Sequence, residues 1–242
     1  MGISVRVGKR DIFVDSKSLD SACKDITAVI HLAAMNAQDC AKDPEEALLV
    51  NGLNSLRLLK AAERMGVSKF IYFSTSHVYG SPLIGILNEE SLPRPQHTYS
   101  ITHRLAEDYT LEANNRGKLS GVVFRLTNSV GSPVSKNTNC WMLVVNDLCR
   151  QVVINKKMVL RSDERIERDY IPISSVTNAV FSVLGINGLR GGIYNLSSGE
   201  TLSLKELTNL IADKSEVVLS FRPEVEFEVF SGKNTMDAEK LI

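Results

Sequence analysis

The sequence predicts an α/β protein built on a doubly wound parallel sheet. Short apolar runs alternate with segments whose apolar residues recur every three or four positions, and this alternation is typical of strand–helix–strand units. A cluster of hydroxyl side chains, Ser74-Thr75-Ser76, directly follows one of the apolar runs. Because ligands of such sheets bind at the carboxyl ends of the strands, we expect the functional site at that edge.

The first half of the chain contains two predicted strands and a long helix between them. Residues 28–34 form a buried apolar run that ends in small residues. Apolar residues at helical spacing predict a helix over 44–65, with Asp43 as its N-cap and Gly66 as its stop. Residues 69–74 are the next predicted strand.

The second half continues the same alternation. A loop rich in Gly and Pro over 80–95 precedes a predicted helix over 99–115 and a buried strand over 121–126. The run 161–169, which mixes acidic and basic residues, is otherwise typical of a solvated loop. The remaining elements are predicted helices at 140–152, 174–184 and 204–212 and strands at 193–196 and 224–230, with Ser203 and Glu206 as a capping box.

Composition excludes several classes of partner. The 242 residues carry 28 Lys+Arg against 28 Asp+Glu, and a net charge of zero gives no driving force for binding nucleic acid or an anionic membrane. No window approaches the roughly 18 consecutive apolar residues of a membrane span, and we see no secretory leader. The 4 cysteines contain no CxxC pair, so we expect reduced thiols in a cytoplasmic protein and no metal site.

Tyr99 is the strongest candidate for acid–base chemistry. It stands at the start of a predicted helix, where its phenol could share a proton with the Thr75 hydroxyl at the end of the preceding strand. An ordinary phenol has a pKa of about 10, so a base at neutral pH needs a cation nearby, and the position one turn along the helix is His103. Taken alone, Tyr99 is more typical of a partly buried helix tyrosine and Thr75 of a strand-end hydroxyl, whereas His103 fits a solvated helix face as well as a functional position.

Seven segments in order resemble the NAD-dependent epimerase/dehydratase group of the extended short-chain dehydrogenases/reductases, which act on nucleotide sugars. The resemblance runs through almost the whole chain, and each segment alone is a weak signal. The segments are Val29–Ala34, Asn51-Gly52 with Leu58–Ala62, Phe73–Gly80, Pro95–Glu107, Phe124–Gly131, Arg168–Ile171 and Tyr194–Glu200.

The resemblance implies a Rossmann-like fold and a set of site residues. The catalytic residues would be Thr75, Tyr99 and His103, and the substrate, a nucleoside-diphosphate sugar, would contact Thr75, Asn128 and Arg168. The cofactor would be NAD, with NADP not excluded. It would lie along Asp11, Ile12, Leu32, Ala33, Ala34, Asn51, Ser74, Tyr99 and His103.

Three departures from the family pattern accompany the matches. The glycine-rich turn that holds the cofactor pyrophosphate is absent, so we expect the chain to begin inside the domain, without the first strand. His103 stands where the family has a catalytic lysine, and the chain stops before the family's usual end. Ser76 and His77 stand where the dehydratases carry an acidic pair, which disfavours water elimination.

The resemblance also implies a division of the chain and leaves alternatives open. We expect an NAD-binding domain over 1–130 plus about 168–197, and a smaller substrate lobe over about 131–167 and 198–242. The apolar positions of helices 44–65 and 99–115 fit either the core or a homodimer interface. The predicted function is a nucleotide-sugar epimerase or reductase. The alternatives are a catalytically impaired or truncated relative that acts as a nucleotide-sugar binding or interaction module, and a fragment of a longer product.

Overall fold

The computed structural model describes residues 4–8 and 13–228, and the backbone of 238–241. Asp11 and Ile12, which we expected beside the cofactor, lie outside the described residues. The chain falls into two compact units. The first comprises Met1–Gly80, Glu89–Leu126 and Ala179–Asn195, and the second comprises Ser81–Asn88, Thr127–Asn178 and Leu196–Ile242.

The first unit is built around a four-stranded sheet. Its strands β1 (Ala28–His31), β2 (Lys69–Thr75), β4 (Ser120–Leu126) and β8 (Gly192–Leu196) lie in that order. β2 is parallel to both β1 and β4, with Tyr72 opposite His31 on one side and Val123 on the other. The predicted α/β class with a parallel sheet is confirmed, and the carboxyl ends of β1, β2 and β4 meet at one edge.

The helices of the first unit follow the predicted pattern with one interruption. The segment predicted as one helix over 44–65 consists of α3 (Pro44–Ala47), a π-helical segment (Leu48–Leu53) and α4 (Asn54–Arg64). Asp43 caps α3, because its carboxylate accepts a hydrogen bond from the Glu46 N–H at 2.9 Å. The other helices are α1 (Ser16–Cys23), α2 (Ala37–Lys42) and α5 (Thr98–Asn115), and a 3-10 turn covers Ser76–Tyr79.

Helices α1, α4 and α5 bury one face of this sheet. The core contains Leu59 and Ala62 from α4, Phe70 and Tyr72 from β2, and Ala106 from α5. Close packing of α5 against the sheet requires Gly121 at the start of β4, since a Cβ there would lie 2.5 Å from the carbonyl oxygen of Thr110.

The second unit contains shorter strands, and among these the sequence predicted the one within 224–230 but did not separate the others from loops. Its strands are β3 (Ile84–Leu87), β5 (Asn128–Val130), β6 (Lys157–Leu160), β7 (Glu167–Pro172), β9 (Thr201–Ser203), β10 (Glu224–Phe227) and β11 (Ala238–Leu241). Its helices are α6 (Val144–Asn155), α7 (Ile173–Gly185), which continues into the first unit, and α8 (Leu204–Leu219). The Ser203/Glu206 capping box is present, and α8 runs seven residues beyond its predicted end (219 − 212 = 7).

The two units differ in their boundaries from the division expected from the sequence. Residues 168–178, expected in the first domain, belong to the second unit, because β7 pairs with β5 and β9 rather than with the four-stranded sheet. Residues 81–88 also belong to the second unit, since β3 pairs with β11. Across the described parts of the chain, no helix has the length and apolarity needed to cross a bilayer.

A fully buried ion pair joins α5 to β4. The Arg125 guanidinium donates to both carboxylate oxygens of Glu107, from Nε at 3.1 Å and from a terminal nitrogen at 2.8 Å. Both side chains are inaccessible to solvent, and the guanidinium also stacks over the Tyr79 ring at 4.6 Å. Such a pair stabilises the fold only while both partners are present, because either charge alone would be buried without compensation.

We expect Glu107→Gln to lower the free energy of unfolding by about 3–5 kcal/mol, because it leaves the buried Arg125 charge unpaired. Urea unfolding followed by circular dichroism measures this change. Glu112→Gln on the same helix is the matched control, since the Glu112–Arg116 pair is exposed and its loss should move the unfolding midpoint little. Equal effects of the two substitutions would contradict this role of Glu107.

Candidate active site

Three polar side chains on one face of α5 meet the sheet at intervals of one helical turn. Tyr99, His103 and Glu107 are four residues apart, a spacing that places them on the same helix face. Tyr99 contacts Thr75 and His103 contacts Tyr72, both on β2, while Glu107 pairs with Arg125 on β4. We call these three residues the α5 polar stripe. Two of its members are residues that the sequence predicted as catalytic.

Tyr99 lies where the carboxyl end of β2 meets the start of α5. Burial raises the pKa of its phenol above the ordinary value, and a hydrogen bond with the Thr75 side chain opposes that rise. Three imidazole rings surround the phenol, with centroids 4.5 Å (His103), 6.1 Å (His97) and 6.4 Å (His77) away. Thr75 and Tyr99 are therefore neighbours at this edge of the sheet, and the phenol is protonated at neutral pH.

His97 places Tyr99 by capping the helix. Its Nδ1 accepts a hydrogen bond from the Ser100 N–H at 3.3 Å, and the Ser100 hydroxyl accepts one from the His97 N–H at 3.4 Å. This reciprocal pair satisfies two donors at the start of α5. The sequence does not predict this role, because histidine is not among the usual N-cap residues.

His103 is buried and neutral. Only 3% of the residue is exposed, which excludes the solvated helix face considered from the sequence. Nδ1 lies 2.7 Å from the Tyr72 hydroxyl oxygen. Burial lowers the pKa of His103 to about 3, with further lowering by His31 and His77. His103 therefore supplies no positive charge to Tyr99 at neutral pH.

His31 is a second buried, neutral histidine. Its Nε2 lies 2.8 Å from the Ser55 hydroxyl, which donates to the Asn51 carbonyl at 2.6 Å. Burial lowers the pKa of His31 to about 4. These contacts make it a structural residue.

Four of the expected cofactor residues lie in the loop after β1 and in the π-helical segment. Leu32, Ala33 and Ala34 follow β1 and are exposed. Asn51 is fully buried in the π-helical segment, and its side-chain oxygen accepts from the Met35 N–H at 2.7 Å while its nitrogen donates to Thr102 at 3.1 Å. Asn51 thus ties the loop after β1 to α5. A mostly apolar cavity of about 240 Å³ beside this loop is lined by Phe13, Ala33, Ala34, Met35, Val50 and Asn54.

Ser74, also expected beside the cofactor, is buried at the end of β2. Its hydroxyl oxygen has no hydrogen-bond partner within the described residues, and the same is true of His103 Nε2. Buried polar atoms without partners are rare in folded proteins. These two atoms are therefore candidates for contacts with a ligand.

The expected substrate residues, Asn128 and Arg168, lie in the second unit. The Asn128 amide donates to the Asp169 carbonyl at 3.0 Å, so part of its hydrogen-bonding capacity holds β5 to β7. Arg168 is half-buried on β7, and no carboxylate in the described parts of the chain pairs with its guanidinium.

Asp169 is a buried residue whose importance the sequence did not reveal. Its carboxylate accepts hydrogen bonds from the Thr127 hydroxyl at 2.7 Å, the Ser198 N–H and hydroxyl at 2.9 Å each, and the Gly199 N–H at 2.8 Å. The expected solvated loop over 161–169 is wrong at this end, because Asp169 is fully buried in β7. Asp169 fixes the turn after β8 and the strand that carries Arg168.

The two buried histidines predict a specific acid sensitivity. Their pKa values are lowered on folding, so below about pH 6.5 the unfolded chain binds protons that the folded chain does not. The free energy of unfolding is therefore highest at neutral pH. Protonation of each histidine in the unfolded chain should lower it by about 2 kcal/mol between pH 7 and pH 5.

Urea unfolding at a series of pH values tests this prediction. The double variant His31→Gln/His103→Gln should show a much flatter dependence between pH 7 and pH 5, whereas the half-buried control His97→Gln should keep most of it. A double variant with the slope of the unaltered chain would show that other groups are responsible.

Comparisons with known proteins identify relatives of this chain. The model of the NAD dependent epimerase/dehydratase family matches residues 10–197. A GDP-6-deoxy-D-mannose reductase of Pseudomonas aeruginosa is 30% identical over 201 residues, covering 79% of this chain and 64% of that protein. A UDP-glucose 4-epimerase of Rhizobium leguminosarum is 27% identical, covering 78% of this chain and 62% of that protein. The chain thus spans less than two thirds of these curated relatives.

Solved structures show the same fold. The structure of RMD from Pseudomonas aeruginosa complexed with NADPH has a TM-score of 0.80 at 24% identity, covering 95% of this chain and 76% of that one. MoeE5 in complex with UDP-glucose and NAD has a TM-score of 0.75 at 24% identity, covering 94% and 73%. Because the family model matches more than half of the sequence, the chain belongs to the NAD-dependent epimerase/dehydratase family.

Proposed function

We propose that this chain carries the catalytic residues of a reductase that converts the keto group of a nucleoside-diphosphate keto sugar to a hydroxyl group, with NADPH or NADH as reductant. The observation that carries the proposal is the position of Tyr99, which lies between Thr75 at the carboxyl end of β2 and the buried ring of His103, 4.5 Å away between ring centroids. Burial keeps its phenol protonated at neutral pH, Thr75 hydrogen-bonds to it, and the residue one turn away is a neutral histidine. The arrangement favours proton donation over proton abstraction.

In the proposed reaction the proton and the hydride reach different atoms of one carbonyl group. A bound NAD(P)H would supply the hydride for the carbonyl carbon. Tyr99 donates its phenolic proton to the carbonyl oxygen, and Thr75 holds the same oxygen by a hydrogen bond. The C=O double bond becomes a C–O single bond with an O–H, and the tyrosine regains its proton from solvent.

The residues present fit a nicotinamide dinucleotide. The unpartnered Ser74 hydroxyl and His103 Nε2 are polar atoms of the kind that ribose hydroxyls satisfy. The apolar cavity beside Ala33 and Ala34 has room for a planar ring such as adenine. The reductase from Pseudomonas aeruginosa, at 30% identity, is in keeping with the reductive direction.

Other activities of the family are less well supported by these residues. A dehydratase would need an acidic pair at Ser76 and His77, and neither side chain is a carboxylate. An epimerase must also abstract the sugar proton, which a phenol with a raised pKa does poorly. In the second unit we propose Arg168 as a contact for the diphosphate, because guanidinium matches phosphate oxygens in a bidentate manner.

The homodimer remains a prediction. Apolar side chains on the two helical segments concerned, among them Leu53, Ile101 and Tyr109, are exposed. Such residues are compatible with an interface between two copies of the chain.

We expect Tyr99→Phe to reduce the rate of keto-sugar reduction by about 10²- to 10⁴-fold while the chain still binds the cofactor, because it removes the hydroxyl group that donates the proton. The measurements are calorimetric titration with NADPH and NADH, and the absorbance of the reduced nicotinamide in the presence of keto sugars linked to GDP, UDP or dTDP. Tyr109→Phe, on the exposed face of α5, is the matched control and should keep the full rate.

Two outcomes would overturn the proposal. One is a Tyr99→Phe variant that keeps the rate of the unaltered chain. The other is binding of nucleotide sugars with no binding of either dinucleotide, which would favour a nucleotide-sugar binding module instead.

The pH dependence of the reduction provides an independent test. Since the protonated phenol is the active form, the rate should be constant through neutral pH and, on the alkaline side, should fall above the raised pKa of Tyr99. His103→Lys places a cation beside the phenol and should move that fall to lower pH by about one to three units.

His103→Gln is the neutral control for this substitution and should not change the pH above which the reduction rate falls. The unaltered chain alone also decides the matter. A rate that rises with pH between about 6 and 8 would mean that an ionised base drives the reaction, contrary to the protonated phenol proposed here.

A further inference from the structure

The two ring nitrogens of His103 have different surroundings. Nδ1 lies 2.7 Å from the Tyr72 hydroxyl oxygen, whereas Nε2 has no hydrogen-bond partner within the described residues. Both side chains are inside the first unit, with 1% of Tyr72 and 3% of His103 exposed. Because both groups are shielded from solvent, the protein must fix the position of each proton.

The surroundings of Tyr72 determine which partner donates. Burial and the nearby Glu107 carboxylate hold the pKa of the Tyr72 phenol well above its ordinary value, so the phenol keeps its proton. The hydroxyl contacts His103 Nδ1, so Tyr72 donates and Nδ1 accepts. In a neutral imidazole the other nitrogen then carries the hydrogen, which makes Nε2–H an unsatisfied buried donor.

A second unpartnered group lies on the same face of β2. Ser74 is two residues beyond Tyr72, so its side chain leaves the strand on the same side and about 7 Å further toward the carboxyl edge. Its hydroxyl is also buried without a partner within the described residues. Two unsatisfied polar groups near one edge of the sheet cost free energy in the unliganded chain, and a ligand with hydroxyl groups would satisfy both.

We propose that Tyr72 is a positioning residue that holds His103 as a neutral Nε2–H donor, and that this donor and the Ser74 hydroxyl bind hydroxyl oxygens of the dinucleotide. The inference rests on the proposed function, since it takes NADPH as the ligand. A neutral donor contributes a hydrogen bond to the ligand without lowering the pKa of Tyr99. With Tyr72 in place, His103 binds the cofactor while Tyr99 remains the proton donor.

The groups around His103 are consistent with a neutral ring. Glu107 on α5 is paired with Arg125 on β4 and is not available to stabilise an imidazolium. His31 on β1 and His77 in the 3-10 turn further lower the pKa of His103. The titratable groups that face the ring are thus Tyr72 from the sheet, Tyr99 from α5, and His31 and His77.

Nitrogen NMR of the ¹⁵N-histidine-labelled chain tests the tautomer directly. The His103 signals, assigned by their loss in His103→Gln, should show a protonated Nε2 and an unprotonated Nδ1, unchanged from pH 8 to pH 5.5. Addition of NADPH should shift the Nε2 signal. In Tyr72→Phe, Nδ1 loses its donor, so both tautomers should be populated and the ring should titrate at higher pH.

Binding provides the second measurement. Tyr72→Phe should weaken NADPH binding about 2- to 10-fold and make it dependent on pH, as expected for one hydrogen bond that is no longer fixed. His103→Gln, which keeps a neutral N–H donor, should retain more affinity than His103→Leu. Tyr109→Phe is the control and should leave both the spectrum and the affinity unchanged.

Several results would overturn the role of Tyr72. They are a protonated Nδ1 or a charged His103 at pH 7, an unchanged spectrum in Tyr72→Phe, and equal affinity of His103→Gln and His103→Leu. If Tyr72→Phe does not fold, the spectrum of the unaltered chain still decides the tautomer. A chain that binds NADPH but reduces no keto sugar would refute the proposed function and leave this inference intact.

Discussion

The contact of one face of α5 with the sheet is the constraint on which the site depends. The Glu107–Arg125 pair fixes the position of the helix on β4, because any slip along the helix axis would leave two buried charges unpaired. His103 and Tyr99 follow at one-turn intervals, each about 6 Å further toward the carboxyl edge of the sheet. The side chain that stabilises the fold thus also sets the distance between Tyr99 and Thr75.

Features that depend on local pattern could be predicted from the sequence. The strands at 28–31, 69–75 and 120–126 and the helix at 98–115 follow from apolar periodicity, and the capping signals at Asp43 and Ser203 proved correct. The pairing of Thr75 with Tyr99 was also predictable, because a strand end and the following helix start meet at the same edge of a parallel sheet.

Features that depend on contacts distant in sequence could not be predicted in the same way. The neutral state of His103 arises from burial against Tyr72, 31 residues away, and helix periodicity leaves its exposure open. Asp169 lies in a run of charged residues typical of a loop, yet it is buried by donors from Thr127 and Ser198. Short strands such as β5 and β9 have three residues each, too few to show a period.

Because a histidine is the N-cap of α5, the position of Tyr99 in the first turn of this helix depends on pH. Only a neutral His97 has a lone pair for the Ser100 N–H, and an imidazolium would place a positive charge at the positive end of the helix dipole. Burial lowers the pKa of His97, so the cap is intact at neutral pH. Acidification therefore loosens the first turn of α5, and Tyr99 loses its fixed position relative to Thr75 before the rest of the helix leaves the sheet.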